Sequence, residues 1–308
     1  MIVSPSFRKE TIDDLDRDTI IKHYKKRGVL LLRGFQLDLE QFARLTDGLC
    51  RTSVFNNSEG RDTLDASRNI QTVNLGQQAF ALHPELSREP WRPDICLFAC
   101  LSAPAKGGET LVCDGTSVVE AMPEELRRQF EGRQLTYVQE ATEAEIRYWY
   151  QSEQVNEQML AAQPKRSPFR FAYRNGIVLR GFTVPALYSP MFSERLAFGN
   201  MLFFARYMRG VRDFPTYEDG TVVPDEVLAA VHELAVRQAI AVRWKEGDVL
   251  LLDNSRFMHG RNPILVPEER LIISHFGFLD FARPYALSHA VEPWREESWG
   301  ALLPNALG

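Results

Sequence analysis

The last quarter of the chain contains three short apolar segments that no helical pattern separates: Ala239 to Trp244, Val249 to Leu252 and Leu271 to Phe278. Short apolar runs bounded by turn residues are typical of buried strands, and Glu246-Gly247-Asp248 is such a turn. Parallel strands need long crossover connections, usually helices, so these strands are expected to pair antiparallel. We therefore predict a mainly β fold, an antiparallel barrel or jelly roll with peripheral helices.

Further strands and helices are predicted upstream of this region. The predicted strands are Val29 to Leu32, Ile70 to Leu75, Ile95 to Leu101, Thr110 to Cys113 and Asn175 to Arg180. The predicted helices are Leu15 to Lys26, Leu39 to Leu49, a helix that opens at Pro123, and Ser193 to Tyr207. Because no linker or repeat divides the chain, we expect one domain, 1–308, with an insertion or lid at about 140–225.

Charge and composition narrow the classes of partner. The chain has 36 basic and 41 acidic residues, so we predict no nucleic-acid partner, because such proteins need a strongly basic face. The longest apolar run, Ile95 to Leu101, is far shorter than the roughly 20 residues that span a membrane. The N-terminus does not resemble a signal peptide, and the four cysteines form no Cys-x-x-Cys pair. We expect a reduced, cytoplasmic protein without a membrane partner.

The sequence His83-Pro84-Glu85 and the distant His259 are candidate metal ligands. In an extended segment, residues i and i+2 project to the same face, so His83 and Glu85 can converge on one ion. Pro84 stiffens the pair because it fixes its own φ and holds His83 extended. Two imidazoles and one carboxylate form the facial triad of non-haem Fe(II) oxygenases.

The His-x-Glu pair alone does not identify a metal site. A chain with six histidines and this many acidic residues is expected to contain about one such pair by chance. A histidine beside an unrelated glutamate is therefore one interpretation. A non-redox, cupin-like protein that binds zinc through the same three ligands is another.

Four further signatures follow His83-Pro84-Glu85 in order along the chain. They are Gly107-Gly108-Glu109-Thr110, Gly247-Asp248 through Asp253-Asn254, His259-Gly260-Arg261, and Arg270, eleven residues after His259. A guanidinium at position 270 offers the planar fork that binds a carboxylate through two hydrogen bonds. Together these residues resemble the TauD/TfdA family of Fe(II)- and 2-oxoglutarate-dependent dioxygenases, and the resemblance runs from Gly28 to about Phe278.

The resemblance implies a fold, a cofactor set and a reaction. The implied core is a cupin-like double-stranded β-helix in which His83, Glu85 and His259 bind Fe(II). Arg270 and Thr110 would bind the distal carboxylate of the co-substrate 2-oxoglutarate, and O₂ would be the oxidant. The implied reaction converts 2-oxoglutarate to succinate and CO₂ while a C–H bond of a small-molecule substrate is oxidised. Self-association is common in the family. An alternative to an active enzyme is an inactive family member that has been retained as a sensor.

Two departures from the family pattern bear on the substrate. The carboxylate ligand is Glu85 rather than the usual Asp, as in some branches that act on amino acids. Ser274 stands where taurine-type enzymes carry a sulfonate-binding Arg, four residues past Arg270. We therefore predict hydroxylation, desaturation or epoxidation of an amino acid or amino-acid-derived molecule, free or tethered to a carrier protein, as in natural-product biosynthesis. A taurine- or aryloxyalkanoate-type catabolic dioxygenase is the alternative.

Several residues are candidates for contact with this substrate. The principal candidates are Asn74, Gln78, Arg261, Ser274 and Tyr148, and the insertion adds Arg170, Arg174 and Arg180. The polar run from Gln71 to Gln78 would make the approach to the iron hydrophilic. Tyr148-Trp149-Tyr150 would either pack internally or close over the substrate as a lid. Asp253 and Asn254 are interpreted as turn residues rather than as partners of the ligands.

Overall fold

The computed structural model describes residues 1–5, 10–56, 58–152, 154–266, 270–289 and 292–296. Its strands, numbered in chain order, are β1 (Ile2–Val3), β2 (Val29–Leu32), β3 (Cys50–Ser53), β4 (Thr63–Asp65), β5 (Ile70–Thr72), β6 (Phe80–His83), β7 (Ile95–Ser102), β8 (Lys106–Gly107), β9 (Thr110–Asp114), β10 (Gln134–Glu140), β11 (Phe169–Arg174), β12 (Ile177–Pro185), β13 (Leu187–Tyr188), β14 (Ala197–Phe198), β15 (Thr216–Tyr217), β16 (Ile240–Val242), β17 (Val249–Asp253), β18 (Phe257–Arg261), β19 (Ile264–Val266) and β20 (Leu271–Leu279). Its α-helices are α1 (Arg17–Arg27), α2 (Leu39–Leu49), α3 (Gly115–Ala121), α4 (Glu124–Arg128), α5 (Glu143–Tyr150), α6 (Glu157–Ala161) and α7 (Asp225–Gln238). Short 3₁₀-helices lie at Ile12–Asp14 and Pro293–Arg295, and a π-helix lies at Phe204–Met208.

Two sheets face each other across an apolar interior. The larger sheet has the order β1-β2-β17-β7-β20-β5-β4, with β3 also paired to β20, and the smaller has the order β16-β9-β18-β6. Phe98, Leu250 and Phe276 of the larger sheet pack in one cluster with Val112 and Phe257 of the smaller sheet. Except for the β1–β2 pair, the pairing in both sheets is antiparallel, so the predicted jelly-roll core is confirmed.

Helices cover the outer face of each sheet. Side chains alternate along a strand, so the residues of β17 and β20 that point away from the interior, such as Leu251 and Ile273, pack against α1 and α2. On the other side, α3 and α7 pack behind the smaller sheet. Within the described ranges, no helix combines the length and the apolar character that crossing a membrane requires. All four cysteines are unpaired.

A third sheet occupies most of the predicted insertion. Its order is β11-β12-β10-β15, and it already begins with β10 at Gln134. Phe169 and Phe171 of β11 point into a cluster that also contains residues of α5 and α6, while Arg170 between them is exposed. The segment therefore has its own apolar cluster beside the two-sheet core.

Most predicted elements are confirmed within one or two residues, but the helix from Ser193 to Tyr207 is wrong. The structure has the short strand β14 and the π-helix in that segment. Ala197 and Phe198 pair with Tyr188 and Leu187 of β13, which takes them out of a helix, and the adjacent Gly199 passes so close that a Cβ there would lie 2.6 Å from the Tyr188 hydroxyl. Helix α7 was not predicted.

Strand β5 ends at Thr72 rather than Leu75 because Asn74 starts a turn by accepting a hydrogen bond from the Gly76 N–H.

Candidate metal centre and co-substrate site

The three predicted metal ligands converge at one end of the smaller sheet. His83, the last residue of β6, lies directly opposite His259 of β18, and their ring centroids are 4.7 Å apart. Glu85 follows two residues later. One donor atom from each of the three side chains lies within 4.8 Å of the others, close enough to share one ion.

Local sequence features create this convergence. Strand β6 ends at His83 because Pro84 has no N–H with which to continue the ladder. Strand β18 approaches β6 so closely that a Cβ at Gly260 would lie 2.7 Å from the Phe80 carbonyl oxygen. Glycine is therefore required between His259 and Arg261.

Hydrogen bonds leave the ligand atoms free for a metal. His83 uses Nδ1 to donate to the Ala81 carbonyl at 2.8 Å, which leaves Nε2 as an acceptor. Asn56 donates to Oε1 of Glu85 at 2.7 Å. Oε2 of Glu85 is buried without a hydrogen-bond partner among the described residues and lies 3.6 Å from Nε2 of His259. A buried carboxylate oxygen beside two imidazoles is a donor set that suits a divalent metal ion such as Fe(II).

The protonation states of the ligands also suit a metal. Burial, with the nearby His259, lowers the pKa of His83 to about 4. Burial opposes ionisation of Glu85, but the His259 contact and the charge of Arg61 outweigh it and lower its pKa to about 2. At neutral pH the apoprotein therefore presents a neutral imidazole and a carboxylate, the forms that bind metal ions.

Asn254 holds the backbone of Glu85, which corrects the interpretation of this residue as a turn former only. Its side-chain oxygen accepts from the Glu85 N–H at 2.7 Å, and its amide donates to the Glu85 carbonyl at 3.0 Å and the Pro93 carbonyl at 2.8 Å. Asp253 does form a turn, because it accepts from the backbone and hydroxyl of Ser255. Sequence reasoning also missed Asn56, whose contact with Glu85 spans 29 positions and has no local signature.

The two predicted co-substrate residues lie near each other beside the metal ligands. Thr110 pairs with Arg261 in the register of β9 and β18, and its hydroxyl accepts from the Trp244 indole at 3.1 Å, which leaves its own O–H to donate. Arg270 lies against Gly108, where a Cβ would be 3.3 Å from the arginine Nε. That Nε is buried and has no hydrogen-bond partner in the described part of the chain. Burial lowers the pKa of Arg270 to about 10, so it stays a cation.

Three of the predicted substrate-contact residues lie in or against the loop that leads to the first ligand. Arg261 is buried, and its guanidinium donates to the carbonyls of Asn74, Gly76 and Gln78. Asn74 donates to the Glu59 carbonyl and accepts from the Gly76 N–H, and the Gln78 side chain is exposed.

The remaining candidates have separate environments. Ser274 is buried on the inner face of the larger sheet, accepts from Arg61 at 3.1 Å and donates to the Gln71 carbonyl at 3.3 Å. Tyr148 lies on α5, makes an edge contact with Trp149, and packs against the inter-sheet cluster. The expectation that an insertion arginine faces a substrate carboxylate is wrong for Arg180, whose partners are Glu89 and Glu145. Arg170 and Arg174 are exposed on β11.

Comparison with known proteins supports the same assignment. The family model "Taurine catabolism dioxygenase TauD, TfdA family" matches residues 4–274. The dapdiamide synthesis protein DdaC of Enterobacter agglomerans is 23% identical over 291 residues, which cover 85% of this chain and 86% of DdaC.

Solved structures share the fold at lower identity. PvcB of Pseudomonas aeruginosa aligns with a TM-score of 0.58 at 15% identity, over 92% of this chain and 88% of PvcB. A taurine dioxygenase of Burkholderia xenovorans aligns with a TM-score of 0.58 at 13% identity, over 94% and 90% of the two chains. A second PvcB structure is described as that of an Fe, α-ketoglutarate-dependent oxygenase from an isonitrile synthetic pathway.

The family match covers most of the chain and includes all three metal ligands, Thr110 and Arg270. It confirms the prediction of an oxygenase and favours it over the zinc-binding, non-redox alternative. The chain belongs to the TauD/TfdA family of Fe(II)- and 2-oxoglutarate-dependent dioxygenases.

Proposed function

We propose that this protein hydroxylates, desaturates or epoxidises an amino acid or an amino-acid-derived small molecule in a biosynthetic pathway. The observation that carries the proposal is a polar, buried surface beside the metal ligands. Ser274 and Gln71 are cross-strand partners, so their side chains share one face of the larger sheet, and both are buried. Arg61 contacts the same serine and lies near Glu85. Such a surface favours a substrate with hydrogen-bonding groups, since unmatched buried polar groups cost about 1–3 kcal/mol.

Two of the relatives, DdaC and PvcB, favour synthesis over catabolism. DdaC is a dapdiamide synthesis protein, and PvcB comes from an isonitrile synthetic pathway. Ser274 also argues against a taurine-type substrate, because the chain lacks an arginine at that position to bind a sulfonate.

Different residues would bind the metal, bind the co-substrate and cover the substrate. His83, Glu85 and His259 would hold Fe(II), which with 2-oxoglutarate and O₂ supplies the oxidising power for an unactivated C–H bond. Arg270 and Thr110 would orient the co-substrate through its distal carboxylate. Helix α5 with Tyr148 would cover the substrate and exclude water. We also propose that the protein is cytoplasmic and that it self-associates.

A substrate panel tests this function. The purified protein would receive Fe(II), 2-oxoglutarate and O₂ with free amino acids, carrier-bound amino acids, sulfonates or aryloxy acids, and products would be identified by mass. We expect an amino-acid substrate to gain one oxygen atom or lose two hydrogen atoms, with matching succinate formation. Conversion confined to a sulfonate or an aryloxy acid would contradict the proposed substrate class and establish the catabolic alternative.

A further inference from the structure

Arg61 is a buried cation next to the metal centre that has not yet been assigned to a ligand. It lies just before β4, its side chain is only 10% exposed, and its guanidinium stacks 5.4 Å from the centre of the Phe276 ring. Phe276 belongs to the inter-sheet cluster, so the guanidinium points into the interior rather than toward solvent.

The hydrogen bonds of Arg61 leave most of its capacity unused. Nη1 donates to the Ser274 hydroxyl at 3.1 Å and reaches the Thr72 carbonyl at 3.5 Å. Nε is buried and has no hydrogen-bond partner within the described ranges. A guanidinium carries five N–H donors, and burying a cation without hydrogen-bonding partners is costly.

The anion that the structure pairs with Arg61 is itself a metal ligand. Nη2 of Arg61 lies 4.0 Å from Oε2 of Glu85, the oxygen left free for the metal. When the Glu85 carboxylate binds a divalent metal ion, part of its negative charge balances the ion. Less of that charge then remains to balance the positive charge of Arg61. The neighbouring buried arginines have other roles, because Arg261 binds loop carbonyls and Arg270, which lies against Gly108, is the proposed co-substrate residue.

We propose that Arg61 binds a free carboxylate of the substrate and so places the substrate beside Glu85. This inference rests on the proposed function and specifies its substrate as an amino-acid derivative whose carboxylate is not masked as a thioester. Ser274 contributes to the same binding site. Its small side chain leaves space for the Arg61 guanidinium, whose Nη1 lies 3.1 Å from the Ser274 hydroxyl. The planar fork of Arg61 matches a carboxylate through two parallel hydrogen bonds.

Binding measurements on a non-reacting complex test this role separately from turnover. The full-length protein would be loaded with Mn(II) and N-oxalylglycine, an unreactive stand-in for 2-oxoglutarate. Affinities would then be measured by calorimetry for the amino acid identified in the panel and for its carboxamide. Arg61→Gln should weaken binding of the carboxylate form by about 10- to 100-fold, as expected for a hydrogen bond to a charged group. Binding of the carboxamide should change by less than about threefold.

Two further variants and a control keep the test informative. Arg61→Lys retains the charge without the fork and should give an intermediate affinity. The exchange variant Arg61→Ser with Ser274→Arg moves the guanidinium across the 3.1 Å contact and should recover selectivity for the carboxylate. Arg209→Gln, which changes an exposed arginine, is the matched control and should bind like the wild type. In turnover, Arg61→Gln should raise KM for the carboxylate substrate more than it lowers kcat.

Different results would overturn different parts of the proposal. Equal weakening of carboxylate and carboxamide by Arg61→Gln would make Arg61 a structural residue. Weaker binding of Mn(II) or N-oxalylglycine, with unchanged preference for the carboxylate, would assign Arg61 to Glu85 or the co-substrate. Both results leave the proposed function standing. A wild-type protein that acts only on carrier-bound molecules overturns the Arg61 proposal, and one that acts only on sulfonates or aryloxy acids overturns the proposed function as well.

Discussion

Glu85 is held at three points by asparagine side chains, and each contact limits where its free oxygen can point. Asn56 fixes Oε1, while Asn254 fixes both the N–H and the carbonyl of the Glu85 backbone. Glutamate has one more rotatable bond than the aspartate usual in the family. We infer that these contacts restrict that extra freedom, so that Oε2 stays directed at the two imidazoles.

Replacing Asn254 by Ala should therefore weaken Fe(II) binding without removing any ligand. Loss of a group that orients a metal ligand typically lowers metal affinity by about 10- to 100-fold, and we expect that range here. Anaerobic Fe(II) titration measures the effect. Asn156→Ala, which removes only the N-cap of α6, is the control and should leave iron affinity unchanged. Equal iron affinity in wild type and Asn254→Ala would refute the positioning role.

Arg270 gives a second prediction for a single residue. Without its guanidinium, the distal carboxylate of 2-oxoglutarate would be left in a buried pocket without its cation. Truncating one partner of such a pair costs roughly 2–5 kcal/mol, so Arg270→Ala should raise the 2-oxoglutarate requirement at least about 30-fold. Succinate formation against 2-oxoglutarate concentration measures this, with exposed Arg209→Ala as the control. An unchanged requirement would remove Arg270 from the co-substrate site.

Among the secondary-structure elements, β12 and α5 are tied to the segment after the metal ligands by a buried ion network. Arg180 on β12 is fully buried, donates to both oxygens of Glu89 at 2.8 and 3.0 Å, and lies 3.0 Å from Glu145 on α5. Its guanidinium also lies 4.6 Å from the centre of the Phe169 ring. Since Glu89 follows Glu85 by only four residues, the network joins the third sheet to the metal centre.

Arg180→Met should destabilise the protein strongly, because it leaves two buried carboxylates without their shared cation. Removing one member of a buried ion pair costs about 3–5 kcal/mol in the free energy of unfolding. Urea denaturation measures that free energy. Arg170→Met, an exposed position on the neighbouring strand, is the control and should change it by less than about 0.5 kcal/mol. A loss below about 1 kcal/mol in Arg180→Met would show that the network does not stabilise this junction.

Elements with a continuous apolar pattern were predictable from sequence, whereas those set by tertiary contacts were not. Strands β2 and β7 and helix α2 follow directly from apolar runs and cap residues. The segment from Ser193 to Tyr207 has a helical composition, but the pairing of its strand β14 with β13 overrides local propensity. Arg180 was misassigned for the same reason, since its acidic partners lie 91 and 35 positions away in the sequence.

For the whole molecule, the strand order of the smaller sheet explains why distant parts of the chain meet at one site. Strand pairing places His259 opposite His83, although the two residues are far apart in sequence. The convergence of the proposed ligands was predictable because His83 and Glu85 are two residues apart and His259 lies in a recognisable motif. The supporting residues Asn56, Asn254 and Arg61 were not, because only the folded chain brings them to Glu85.

The visible absorption of the Fe(II)–2-oxoglutarate complex, recorded anaerobically, tests the metal centre most directly. Chelation of 2-oxoglutarate by iron held in the facial triad gives a charge-transfer band. Wild-type protein should develop this band and saturate at one iron per chain, whereas His83→Ala, which lacks one of the three ligands, should not develop it. Absence of the band in the wild type, or its persistence in His83→Ala, would contradict the assignment of His83, Glu85 and His259 as the iron ligands.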